Sequence, residues 1–263
     1  ISMSIEYFGP LKEFIRSEDI TDVDYNGREV WTNDVSGRRI KRSKVVLEDQ
    51  FILQFSQRMA NEVSKTFNKL SPVLEAEVVV EGVSLRISIV HESIAVSGRS
   101  ICIRKTPPYA RITIEESIKK GYSDEKQLSF LLNCIKGHMN IIVCGEPGVG
   151  KTELAKFLGQ FIPDEERVIT VEDSLEWHFN EVKPDSDSIS MQIRSDYAYK
   201  DAIRTCMRQN PRWMMISEVR GEETAEYIIG LTTGVSGITT LHTESALTIP
   251  DRLVNMAARR GQE

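Results

Sequence analysis

The chain is poor in the features that mark exported, membrane-spanning or nucleic-acid-binding proteins. Its four cysteines, Cys102, Cys134, Cys144 and Cys206, stand far apart without a CxxC pair. Neither a zinc site nor a disulfide frame is written there, and the thiols read as buried groups in a reducing compartment. No apolar run reaches the length of a bilayer span, and no charged region followed by an apolar stretch opens the chain as an export leader would. A cytoplasmic protein is the default expectation, with docking at a membrane left open. A basic excess is missing too: 33 Lys and Arg against 39 Asp and Glu leave a net charge of −6. That balance counts against a dedicated nucleic-acid binder, which needs a basic face for the phosphodiester backbone. Low-complexity tracts, long repeats and a guanine-reading Asn-Lys-x-Asp motif are all absent. What remains is ordinary for a globular protein, with 40% hydrophobic and 27% charged residues in 263. This is enough for one large domain or two of common size.

Residues 1–106 read as a smaller α+β domain. A short amphipathic helix is expected over residues 11–17, then strands at 22–25 and 29–32 with Asn26-Gly27 as a two-residue hairpin turn. Phe51, Ile52, Leu53, Phe55, Met59, Val63 and Phe67 fall near helical spacing within residues 48–67. Strands at 75–80 and 84–90 flank Glu81-Gly82, and a further strand covers 100–104. Lys105-Thr106-Pro107-Pro108-Tyr109 then breaks the pattern, because two prolines remove backbone donors and favour extended chain. It opens a linker over residues 107–122, in which 114–121 has helical character. From residue 123 to the end, strand-like runs (140–144, 168–171, 213–217, 237–241) alternate with helical ones (123–135, 152–161, 199–208, 222–232). Ser123 suits an N-cap, and residues 183–190 read as an exposed loop. Such alternation specifies an α/β domain built from crossover units.

The strand at 140–144 opens into Gly145-Glu146-Pro147-Gly148-Val149-Gly150-Lys151-Thr152, followed by Glu153 at the head of a helix. This is the eight-residue phosphate loop in the strand-then-helix setting it requires. Its glycines permit the φ values that turn successive N–H groups inward, and the helix adds its positive end. Lys151 is placed to reach β- and γ-phosphates, and the Thr152 hydroxyl to reach Mg²⁺. The loop does not itself select adenine over guanine; the missing guanine motif favours ATP.

Three other groups stand where chemistry could use them. Glu218 closes the apolar run Trp213-Met214-Met215-Ile216, which puts its carboxylate at the C-terminal edge of a sheet, where ligands gather in open α/β folds. Glu172 and Asp173 end the run at 168–171; taken alone, they fit a solvated turn as readily as a second catalytic carboxylate. His242 follows residues 238–241 after a bend containing Gly234 and Gly237, and a single histidine is more often structural than catalytic.

Together these segments resemble one family. Ile169-Thr170-Val171-Glu172-Asp173, Ile216-Ser217-Glu218-Val219-Arg220-Gly221 and Thr233-Gly234-Val235-Ser236-Gly237-Ile238-Thr239-Thr240-Leu241-His242 resemble, in order, the acidic box, the atypical Walker B segment and the His box of the secretion and pilus-assembly ATPases. Members of that superfamily drive type II and type IV secretion, conjugation and pilus dynamics. Ser71-Pro72, Leu85-Arg86-Ile87 and Ser100-Ile101-Cys102-Ile103-Arg104-Lys105 look like the domain ahead of the motor in the conjugative-transfer and Tad-pilus branch. There are departures. Asn210-Pro211-Arg212 stands for the usual Arg-Pro-Asp, and Ser217 precedes Glu218 where glycine is usual. The chain ends about twenty residues after His242, where the family continues, so it reads as truncated.

The resemblance implies an α/β fold with a RecA-like P-loop motor domain at residues 123–263, preceded by the α+β domain. It implies ATP hydrolysis with Mg²⁺ held by Thr152, Asp173 and Glu218. Either Glu172 or Glu218 would act on the attacking water. His242 would sense the γ-phosphate, and Arg220, Arg86 and Arg104 would meet phosphate charge. The expected working form is a homohexamer at the cytoplasmic face of the membrane, partnered by membrane-embedded secretion or pilus platform proteins, without direct nucleic-acid contact. Two other readings compete: a RecA-like nucleic-acid motor such as a helicase or DNA-packaging ATPase, and a regulatory nucleotide binder with little turnover.

Overall fold

Alternating apolar residues in the first third of the chain build one sheet. The structure, a computed structural model, describes residues 2–194, 196–221 and 223–258. Its backbone contacts divide it into two units, Ile1–Pro107 and Pro108–Glu263. The first contains β1 (Ser2–Met3), α1 (Lys12–Arg16), β2 (Ile20–Tyr25), β3 (Val30–Asp34), β4 (Arg39–Lys41), α2 (Asp49–Glu62), β5 (Val73–Val80), β6 (Val83–Val90) and β7 (Ser100–Thr106). The strands are ordered β1-β5-β6-β7-β2-β3-β4, antiparallel except where β1 joins β5. Leu74, Ala76, Val78, Leu85, Ile87, Ile101 and Ile103 point inward from the central strands. There they meet Ile52, Phe55 and Met59 of α2, the half-buried alternation expected of an antiparallel sheet with one covered face.

Two local readings change here. The first helix is preceded by a 3-10 segment, Ile5–Leu11, that contains Pro10; a proline offers no N–H to continue an α-helical ladder. The β2–β3 connection is longer than the two-residue Asn26-Gly27 turn. Strand pairing ends at Tyr25↔Val30, and the Asn26 side chain accepts the amides of Arg28 and Glu29 at 3.1 and 2.9 Å. That carboxamide does the work of a turn carbonyl and moves the reversal along the chain.

The second unit holds α3 (Ile114–Lys119), α4 (Glu125–Lys136), β8 (Ile141–Gly145), α5 (Lys151–Gly159), β9 (Val168–Glu172), α6 (Phe179–Val182), β10 (Ser188–Gln192), α7 (Tyr199–Met207), β11 (Trp213–Ile216), α8 (Glu223–Thr232), β12 (Ser236–His242) and α9 (Ile249–Ala258). Its sheet, ordered β10-β9-β11-β12-β8, is parallel at every pairing. Strands β9 and β11 are buried at every residue, as befits parallel strands covered on both faces. Alternate residues separate the two cores. Val168, Trp213, Met215 and Ile238 pack with α4 and α5, whereas Ile169, Val171, Met214 and Ile216 pack with α7, α8 and α9.

Two further expectations need correction. Helix α4 is capped by Asp124, not Ser123: Asp124 Oδ1 accepts the Gln127 amide at 2.8 Å and Gln127 Oε1 accepts the Asp124 amide at 3.1 Å, a complete capping box. The stretch 183–190 is not wholly loop, because β10 begins at Ser188. As an edge strand paired only with β9 it keeps polar residues, which hid it. Glu222, expected at the start of α8, lies outside the described residues. Among the described residues no helix is long and apolar enough to cross a membrane.

Candidate functional site

Because the five strands run the same way, their carboxyl ends share one edge of the sheet. Register brings His242 opposite Gly145, and Ile216 opposite both Thr239 and Val171. The phosphate loop after β8, His242 ending β12, Glu218 after β11 and Asp173 after β9 therefore emerge side by side, in strand order. Neighbouring strands lie about 4.8 Å apart, a distance one side chain bridges.

A continuous polar chain follows. Lys151 Nζ donates to Glu146 O at 2.8 Å within the loop and lies 3.1 Å from His242 Nδ1. An ammonium has only protons to give, so Nδ1 accepts and the ring proton sits on Nε2, which lies 3.3 Å from Glu218 Oε1. The other Glu218 oxygen accepts Arg220 Nε at 2.8 Å, and the same guanidinium reaches Asp173 Oδ2 at 3.1 Å. Burial opposes the Arg220 charge, but Asp173 and then Glu218 outweigh it and raise the pKa above its ordinary value. Lys151 is buried, and loss of solvent lowers its pKa against the pull of Glu218.

The loop itself is shaped for an anion. Gly148 and Gly150 have φ of 82° and 93°, left-handed values that disfavour any residue with a Cβ. Lys151 and Thr152 fall in the first turn of α5, whose N–H groups have no acceptor within the helix. These donors and the ammonium suit phosphate oxygens. For a metal, no group of three or more His, Cys, Asp or Glu converges among the described residues. The edge offers Asp173 and Glu218 plus the Thr152 hydroxyl. Oxygen donors of these kinds suit an ion that takes its remaining ligands from water and phosphate, as Mg²⁺ does.

Glu172 stands apart from its neighbour. Its side chain is 1% exposed, and Oε1 accepts the amides of Glu176 and Trp177, each at 3.0 Å. Burial pushes the carboxyl up to about 7, with those two bonds opposing the rise. It lies on the α5 side of the sheet near Lys156, another buried group, whose pKa is lowered chiefly by burial. Glu153 also turns away from the loop: Oε2 accepts the Arg111 amide at 3.1 Å, and Oε1 lies 3.7 Å from Lys156 Nζ. Arg104 pairs with Asp22 at 2.8 Å in the first unit, where Arg86 lies across from it in the β6–β7 register. Sequence reading passed over Lys156 and Tyr199. Neither carries a motif signal, since a lysine on a helix and an aromatic at a helix start are ordinary.

The family model described as "Type II/IV secretion system protein" matches residues 72–262. The chain belongs to that family. An uncharacterized protein of Bacillus anthracis is 32% identical over 251 residues, covering 95% of this chain and 56% of that protein. The type IV secretion system protein VirB11 of Bartonella quintana is 35% identical over 141 residues, 51% of this chain and 38% of that protein. The chain thus spans about half the length of these relatives. The X-ray structure of the Legionella pneumophila ATPase DotB superposes with a TM-score of 0.71 at 19% identity, covering 97% of this chain and 70% of that one. The secretion-system fold is shared: a RecA-like α/β P-loop domain preceded by a smaller α+β domain.

Proposed function

We propose that this secretion-system family member hydrolyses ATP, and that a homohexamer of it powers type IV secretion, conjugation or pilus assembly from the cytoplasmic face of the membrane. Its partners there are the membrane-embedded platform proteins of the machinery. The observation that supports the chemistry best is the polar chain Lys151–His242–Glu218–Arg220–Asp173, laid across three strand ends directly beside the phosphate loop.

Each residue has a task that follows from its position. The loop amides and Lys151 bind the β- and γ-phosphates, Lys151 exchanging Glu146 O and His242 Nδ1 for phosphate oxygens. Thr152, Asp173 and Glu218 would hold Mg²⁺, which when bound supplies positive charge to the phosphates. Glu218 accepts the proton of the attacking water or orients it. His242, released by Lys151, keeps Nε2 on Glu218, so occupancy of the loop is reported to the carboxylate. Arg220 holds Asp173 and Glu218 together through its guanidinium.

Glu218→Gln is expected to abolish turnover and retain ATP binding; Lys151→Ala is expected to abolish binding of ATP while leaving the fold intact by circular dichroism. Turnover that survives Glu218→Gln, or unchanged ATP affinity in Lys151→Ala, refutes the assignment. Strong, salt-sensitive stimulation by single-stranded DNA would replace it with a nucleic-acid motor.

A further inference from the structure

Tyr199 belongs to none of the motifs that mark the site, yet it touches two of them. It is the first residue of α7, whose Ala202, Ile203 and Cys206 are buried against the sheet. Its hydroxyl lies 2.7 Å from Ser217 Oγ and accepts the backbone amide of Asp173 at 3.1 Å. One phenol oxygen therefore joins the start of a helix to both carboxylate-bearing strand ends.

Ser217 is tied at each of its polar positions. Its N–H donates to Val171 O at 3.0 Å, its carbonyl accepts Thr240 Oγ1 at 2.6 Å, and its own hydroxyl meets Tyr199. Val219, on the far side of Glu218, donates its amide to Thr240 O at 3.2 Å. The backbone that carries Glu218 is thus held from β9, β12 and α7 at once. A glycine at position 217, as the family pattern would have it, leaves the tie to α7 unmade. Burial pushes the Tyr199 phenol up to about 12, so it remains a neutral hydrogen-bonding group across any ordinary assay.

We infer that Tyr199 is a positioning residue whose hydroxyl, through Ser217 and the Asp173 amide, sets the spacing of the Glu218 and Asp173 carboxylates for hydrolysis. Arg220 bridges those carboxylates through their side chains; Tyr199 holds the backbones that carry them. The inference rests on the ATPase reading, and ATP affinity should lie outside its reach, because neither Tyr199 nor Ser217 touches Lys151 or the phosphate loop.

Tyr199→Phe keeps the ring and its packing and removes only the oxygen. In the full chain it should lower kcat about tenfold, with the KM for ATP within about twofold of wild type and the Mg²⁺ concentration for half-maximal rate raised; small displacements of reacting groups have effects of that size. Ser217→Ala removes only the Ser217 half of the tie and should lower kcat in the same direction by no more than Tyr199→Phe does. The double variant should be no worse than Tyr199→Phe, since the Tyr199–Ser217 bond is then removed twice. A merely structural role predicts instead a loss of melting temperature with kcat per folded molecule unchanged. Wild-type kcat and Mg²⁺ dependence in folded Tyr199→Phe, or strictly additive losses in the double variant, overturn the inference while leaving the ATPase reading intact. Should Tyr199→Phe fold poorly, Ser217→Ala alone decides through the same kcat and Mg²⁺ readouts. A wild-type chain that binds ATP but never turns over, alone or with its platform, refutes both.

Discussion

Replacing Glu172 with glutamine isolates a folding cost that the structure makes measurable. The carboxyl is 1% exposed and its pKa is raised to about 7 from 4.5. A folded-state pKa above the unfolded one means the native protein holds the proton more tightly. Its contribution to stability is therefore fully present below about pH 4.5 and is lost as pH rises through about 7. The whole loss comes to about 3 kcal/mol, of which roughly 2–3 kcal/mol falls between pH 5 and pH 8. Glutamine resembles the protonated acid. Both amide bonds fall on Oε1, so the glutamine carbonyl can accept them without charge. Urea unfolding of wild type and Glu172→Gln at the two pH values tests the sum. The variant should be about 1 kcal/mol more stable than wild type at pH 5 and about 3 kcal/mol more stable at pH 8. Titrations common to both proteins cancel in the difference. Trp177 and Trp213, two of the three tryptophans, are fully buried in the same unit, so fluorescence follows its transition. A stability difference that does not change with pH, or one that favours wild type at pH 8, refutes the account of a buried, half-protonated carboxyl.

His242→Ala breaks the link between Lys151 and Glu218, and kcat should fall roughly tenfold with ATP binding retained by equilibrium titration. Gly27→Ala would place a methyl 2.6 Å from Ser97 O at a φ of +90°. Both contact and conformation are adverse, and the first unit should lose about 3 kcal/mol in denaturant melts. Asp124→Ala removes the capping box of α4 and should cost about 1 kcal/mol by the same measurement, whereas Ser123→Ala should cost far less.

Much of the site can be read before any folding is considered, because its parts are local. The phosphate loop needs glycines at particular φ values, a lysine and a hydroxyl residue at the head of a helix, and all of these are consecutive in the chain. The apolar runs ending at Glu218 and His242 place both groups at strand ends for the same reason. Strand β10 and the longer β2–β3 loop escaped notice, since an edge strand need not be apolar and an asparagine side chain can stand in for a turn carbonyl.

What sequence by itself determined is that a phosphate-loop pattern runs from Gly145 to Thr152 and that acids and a histidine end the strands beyond. It left Glu172 and Asp173 as equals. Tertiary structure separates them: successive residues at a strand end face opposite sides of the sheet. Glu172 goes under, to the α5 side, where two amides and burial hold it. Asp173 goes to the α7 side, where Arg220 and Tyr199 join it to Glu218. The strand order β9-β11-β12-β8, built from segments far apart in the chain, then sets the order of the polar chain from Asp173 to Lys151. Long-range pairing of this kind leaves no periodicity in the residues that it brings together.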